Sequence, residues 1–80
     1  MQGLTVGRMV HYIAHDEQNT HCAAIITHVW HESGTVNLNV MHPFNGDKWL
    51  DDLPSVWQET SVTFDEGGAE PGTWHWIEPA

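Results

Sequence analysis

The sequence predicts a mainly β protein, a small SH3-like five-stranded barrel with at most one short helical turn. Turn-forming Gly, Pro and Asn residues interrupt the 80-residue chain at short intervals. Between them lie segments rich in Val, Ile, Thr, Trp and Tyr, several of which alternate between apolar and polar residues. A chain of this length forms a single domain with a thin core, and barrel closure removes the exposed edges that such a core could not protect.

Five segments are predicted to be strands: residues 8–14, 21–32, 35–42, 56–64 and 73–78. The third shows the clearest alternation, because Val36, Leu38 and Val40 share one face of a strand while polar residues and a Met occupy the other. We therefore expect this strand to be half-buried.

The second segment carries apolar residues on both faces, which is typical of a central, strongly curved strand. Residues 31–35 are predicted to form the tight hairpin turn that leads into the third strand. A helix over residues 21–31 is the alternative, and it is disfavoured because Ile, Thr and Val lose side-chain freedom in a helix.

The long connection between the third and fourth strands has room for the predicted helical turn, at residues 47–53. Acidic residues lie near its start and Pro54 would end it. An OB-fold is the nearest competing architecture, but it usually needs a longer chain and a full helix.

The charge of the chain excludes several classes of function. Eleven Asp and Glu residues against two Lys and Arg give a formal net charge of −9, which opposes direct binding to DNA or RNA phosphates.

The single Cys22 excludes an internal disulfide. The longest apolar run is far too short to cross a membrane, and the first residues lack the pattern of a signal peptide, so we expect a cytoplasmic protein.

No catalytic motif is recognisable, and we expect a non-enzymatic protein without a cofactor. The seven His residues include pairs spaced three and four apart, but on a strand neither spacing brings two imidazoles together. We therefore expect no metal site and no effect of a chelator. A zinc site formed by His21, Cys22 and a distant His is the alternative.

The five Trp residues exceed what a core of this size readily buries, so at least one should reach the surface. There they favour ligand stacking and partner contacts. Arg8 lies in a segment free of acidic residues, and a guanidinium beside aromatic rings can hold a phosphorylated nucleotide. The predicted ligand-binding residues are Arg8, Tyr12, Trp74 and Trp76.

The closing run Gly-Thr-Trp-His-Trp-Ile-Glu-Pro at residues 72–79 resembles the C-terminal signature of a family of small phage and prophage proteins, which typically end in Gly-Thr-Trp-His-Trp-Pro-Glu. Residues 7–12, 22–27, 36–41 and 65–67 are similar to other parts of the family pattern, so the likeness spans most of the chain. Ile77 departs from it, since Pro is usual there. The resemblance implies a phage accessory gene but no particular activity.

These observations together lead us to expect a phage accessory protein that acts in the infected host cell. We expect it to counter host defence as a homo-oligomer that sequesters a small nucleotide signal. One alternative is an acidic mimic of nucleic acid that occupies a basic host protein, and a minor virion or assembly protein is another. The predicted acidic face comprises Asp47, Asp51, Asp52, Asp65 and Glu66.

Overall fold

The computed structural model describes residues 3–15, 19–41 and 55–78. These residues form a closed barrel of five strands in chain order, and none of them is helical. The strands are β1 (Met9–Ile13), β2 (His21–Trp30), β3 (Thr35–Met41), β4 (Val56–Phe64) and β5 (Thr73–His75). The predicted small SH3-like barrel is confirmed, while the helical turn predicted at residues 47–53 lies outside the described residues.

Strands β1 to β4 pair in an antiparallel meander, and the short β5 closes the barrel. β5 is antiparallel to β1 and parallel to β4. It spans three residues, half of the predicted segment, and residues 76–78 continue beyond it without forming a strand. Among the described residues there is no helix of the length and apolarity needed to span a bilayer.

The core lies inside the barrel and is built from the inward faces of all five strands. Val36, Leu38 and Val40 are fully buried, as the alternation in β3 predicted. Trp74 is the largest fully buried side chain, and the partly buried Phe64 and Trp76 pack against the core. Burial of these large apolar side chains is the main stabilising contribution in a domain of this size.

A bulge changes the inward face of β2 part of the way along the strand. Ile26 pairs with Leu38 and His28 pairs with Asn37, so Thr27 is an extra residue. Because one added residue reverses the alternation, the buried positions pass from Ile26 to Val29. Trp30 is therefore 46% exposed at the surface.

Candidate functional site

Three His side chains and one Glu meet on the outer face of the barrel. His11 lies on β1, His21 on β2 and His75 on β5, and Glu78 follows three residues after β5. The four ligand-type atoms, one from each residue, all lie within 4.8 Å of one another. This group is called the His/Glu cluster below.

Strand pairing brings these residues together, because β1 lies between β5 and β2 in the barrel. His11 is paired directly with His75 across β1 and β5. His21 is paired with Ile13, two positions along β1 from His11, so both imidazoles are on the same face. Tyr12 and Cys22, the neighbours of His11 and His21 in the chain, are buried on the opposite face.

The carboxylate of Glu78 lies between the three imidazoles. Its Oε1 is 2.7 Å from Nδ1 of His11 and 2.5 Å from Nε2 of His75, and its Oε2 is 3.0 Å from Nδ1 of His21. Desolvation would raise the pKa of Glu78, but the hydrogen bonds from His11 and His75 outweigh it and lower the pKa to about 2. Glu78 is therefore a carboxylate at neutral pH.

His75 is the buried member of the cluster, with a side-chain exposure of 6%. Its ring lies over Gly68, where a Cβ atom would come within 3.3 Å of three ring carbons. Gly68 also has a φ of +65°, which L side chains rarely adopt. Nδ1 of His75 has no hydrogen-bond partner among the described residues, so the ring is oriented by Gly68 on one side and Glu78 on the other.

The cluster contains the donor types that first-row transition metals prefer. Imidazole nitrogen and carboxylate oxygen are ligands of Zn²⁺, at about 2.0–2.2 Å. Tetrahedral ligands at that distance are about 3.3 Å apart, so atoms that lie up to 4.8 Å apart must move closer, by as much as about 1.5 Å, to bind one ion. Three neutral imidazoles and one carboxylate would leave a divalent ion with one positive charge.

A cleft of about 340 Å³ opens beside the cluster. Three members of the cluster line it, together with two aromatic rings and the loop that precedes β5; the lining residues are His21, Phe64, Glu66, Gly67, Gly68, His75, Trp76, Ile77 and Glu78. An ion in the cluster would consequently be reachable from this cleft.

The four predicted ligand-binding residues are divided between core and surface. Tyr12 and Trp74 are 2% and 0% exposed, so a ligand in solvent does not reach them. Burial and the neighbouring Glu59 raise the pKa of Tyr12 to about 12, which keeps its hydroxyl neutral. Arg8 and Trp76 lie together at the surface, where the guanidinium is 4.9 Å from the centre of the Trp76 ring.

The predicted acidic face is only partly described, because Asp47, Asp51 and Asp52 lie outside the described residues. Asp65 accepts hydrogen bonds from the backbone N–H groups of residues 67, 69 and 70. Those of Glu70 and Ala69 lower the pKa of Asp65 most. Asp65 thus organises its own loop, and Glu66 lines the cleft.

The sequence interpretation missed the His/Glu cluster because it compared His pairs within one strand. Its zinc alternative combined His21 and an unspecified distant His with Cys22, which is buried in the core. The signal was present in the predicted strands, since His11, His21 and His75 all occupy positions opposite in alternation to buried neighbours. Finding the cluster also required the order of strands around the barrel, which the alternation of one strand does not contain.

Comparison of the chain with protein-family models, curated proteins and solved structures gave no match.

Proposed function

We propose that this protein binds a divalent transition-metal ion through His11, His21, His75 and Glu78. The observation that carries the proposal is the convergence of four ligand-type atoms within 4.8 Å, from three strands and the segment after β5. This proposal departs from the sequence-based expectation that the chain has no metal site. It keeps the expectation of a binding protein rather than an enzyme.

Several features of the cluster support binding of an ion. His75 is held on two sides, and its partner His11 is on the adjacent strand, so two ligands are positioned by barrel backbone. Glu78 supplies a negative charge that offsets part of the charge of the ion. Imidazole-rich sites of this kind suit Zn²⁺, Cu²⁺, Fe²⁺ or Ni²⁺, whereas Mg²⁺ and Ca²⁺ prefer sites made of oxygen atoms.

Calorimetric titration of chelator-treated protein with Zn²⁺ tests the proposal. We expect one ion per chain, together with thermal stabilisation. At a free Zn²⁺ concentration one hundred times the Kd, the stabilisation is about 2.7 kcal/mol. For a domain of this size that corresponds to a rise in Tm of roughly 10–20 °C.

Variants of the two less buried histidines assign the ion to this cluster. His11→Ala and His21→Ala should each weaken Zn²⁺ binding by more than the roughly 10–100-fold that loss of an outer-shell partner costs. His28→Ala is the matched control, since His28 is exposed on the same strand as His21 but contacts Trp30. Absence of Zn²⁺ binding, or equal losses in all three variants, would contradict the proposal.

A second candidate function is binding of a small nucleotide, as expected for a phage accessory protein that counters host defence. The contact between Arg8 and Trp76 favours it, because a guanidinium and an indole at the surface offer a phosphate contact and a stacking face. A thermal-shift screen with cyclic and linear nucleotides tests this function. A rise in Tm that Arg8→Gln abolishes would support it, and no rise with any nucleotide would refute it.

A further inference from the structure

The cleft beside the His/Glu cluster has the size and walls of a small-molecule site. Its volume of about 340 Å³ is near the lower end of the range for ligand pockets, which suits a molecule of one or two rings. Phe64 and Trp76 form an aromatic wall, with ring centroids 6.5 Å apart, and the half-exposed Ile77 extends the apolar surface. Walls of this kind favour a flat, apolar body.

The charges around the cleft disfavour an anionic ligand. Glu66 and Glu78 both line it, and none of the described lining residues is Lys or Arg. The guanidinium of Arg8 contacts the Trp76 ring but does not line the cleft. Carboxylates accept hydrogen bonds from N–H groups, so a ligand that carries such donors fits better than one that carries a phosphate or carboxylate.

The cluster itself leaves room for a ligand on the cleft side. The side chains of His21 and Glu78 are 37% and 47% exposed, so protein does not enclose an ion on that side. The four protein ligands fill a tetrahedral shell, so a donor from the cleft would bind as a fifth ligand, a coordination number that zinc sites can reach. The lone pair of a ring nitrogen is such a donor.

We infer that the cleft takes a planar nitrogen heterocycle, whose ring nitrogen coordinates the metal ion while its ring packs against Phe64 and Trp76. This inference rests on the metal site proposed above. It assigns to that site a class of ligand with unsaturated ring nitrogens, of which imidazole and the fused benzimidazole are the smallest useful probes.

Titration of the Co²⁺-loaded protein with imidazole and with benzimidazole tests the inference, with the visible absorption of the ion as the readout. Both compounds should change the spectrum, because each supplies a nitrogen ligand. Benzimidazole should bind about tenfold more tightly, since its second ring adds aromatic contact area.

Variants of the aromatic wall separate this contact from simple coordination. Trp76→Leu should reduce the preference for benzimidazole to about twofold or less, and Ile77→Ala, at an exposed position, should reduce it by a smaller factor while leaving the fold intact. Trp30→Leu is the matched control, because Trp30 is an exposed Trp remote from the cleft, and it should leave the preference unchanged.

The outcomes distinguish failure of this inference from failure of the metal site. If Co²⁺ binds in a manner that requires His11 and His21, but neither compound changes its spectrum, the inference is wrong and the metal site stands. The inference also fails if the preference for benzimidazole is the same in wild type, Ile77→Ala and Trp76→Leu. If Co²⁺ does not bind at all, both the site and the inference fail.

Discussion

The two ends of strand β2 use their polar side chains in different ways. At the Trp30 end, Oδ1 of Asn37 accepts hydrogen bonds from Nε1 of Trp30 at 2.9 Å and from the backbone N–H of Ser61 at 3.0 Å. At the His21 end, three imidazoles converge on one carboxylate, and their ring centroids are only 4.9–5.8 Å apart.

The difference separates a structural network from a candidate binding site. At the Trp30 end, one amide oxygen joins two donors across the places where β2 and β4 each carry an extra residue opposite Asn37. Those hydrogen bonds hold the two bulges in place, and Ser61 has a φ of +52° there. At the His21 end, three imidazoles and one carboxylate, all groups that can ligate a metal ion, lie together, which is the composition expected of an ion site.

Truncation of a large core side chain should have the largest effect on the free energy of unfolding. Trp74→Ala deletes a fully buried indole that lies against the rings of Phe64 and Trp76, at 4.8 and 5.0 Å between centroids. The cavity should cost about 3–5 kcal/mol in the free energy of unfolding, measured with urea. Trp30→Ala, at an exposed position, should cost far less. Equal losses would mean that Trp74 is not the centre of the core.

A pair of Gly substitutions disturbs the His21 end selectively. Gly68→Ala and Gly34→Ala both place a Cβ at a positive φ, which costs roughly 1–2 kcal/mol. At Gly34 the added Cβ meets no atom within 4 Å, whereas at Gly68 it meets the ring of His75. We therefore expect Gly68→Ala to be the less stable variant in urea.

The same two Gly variants also test whether the position of His75 affects Zn²⁺ binding. Displacement of the His75 ring should weaken Zn²⁺ binding by about tenfold or more in Gly68→Ala, and Gly34→Ala should bind Zn²⁺ like the wild type. Equal Zn²⁺ affinities in the two variants, measured by calorimetry, would show that the position of His75 does not matter for the site.

A substitution at the Trp30 end should change stability without changing metal binding. Asn37→Ala removes the acceptor of two hydrogen bonds and should cost about 1–2 kcal/mol. Asn39→Ala is the control on the same strand, since Oδ1 of Asn39 has no partner among the described residues and its loss should cost less. A large change in Zn²⁺ affinity in Asn37→Ala would contradict the independence of the two ends.

The smallest expected effect concerns pH and Asp65. The hydrogen bonds from the backbone N–H groups of residues 70 and 69 lower the pKa of Asp65 from its usual value of 3.8. Because the folded pKa is the lower one, the carboxylate contributes stability that is present above pH 3.8 and is lost as pH falls through the folded pKa.

The Tm of Asp65→Asn should thus be slightly below that of the wild type at pH 7 and pH 5, and the gap should close as the pH falls below the folded pKa of Asp65. Glu66→Gln removes a neighbouring charge without removing an acceptor from the loop, and it serves as the control. If the Tm difference between Asp65→Asn and the wild type increased as the pH fell, this prediction would be wrong.

Much of the fold was predictable because the relevant signals are local. The bounds of β4 agree with the prediction at residues 56–64, and the buried positions of β3 follow its alternation. The predicted β2 and β5 were too long. β2 ends at Trp30 because Gly34, with a φ of +76°, turns the chain and donates its N–H to the carbonyl of Trp30. β5 ends at His75, the last residue of that strand that pairs with β1.

The sequence by itself determined the class of fold and the inward positions of most strands, since alternation and turn residues act over a few neighbours. Only the tertiary structure decided that the Trp30 end of β2 carries the hydrogen bonds of Asn37 and that the His21 end carries the His/Glu cluster. The bulge at Thr27 turns Trp30 outward, and the closure of β5 on β1 sets His75 opposite His11. Both depend on the pairing of strands distant in the chain, and no local pattern carries that register.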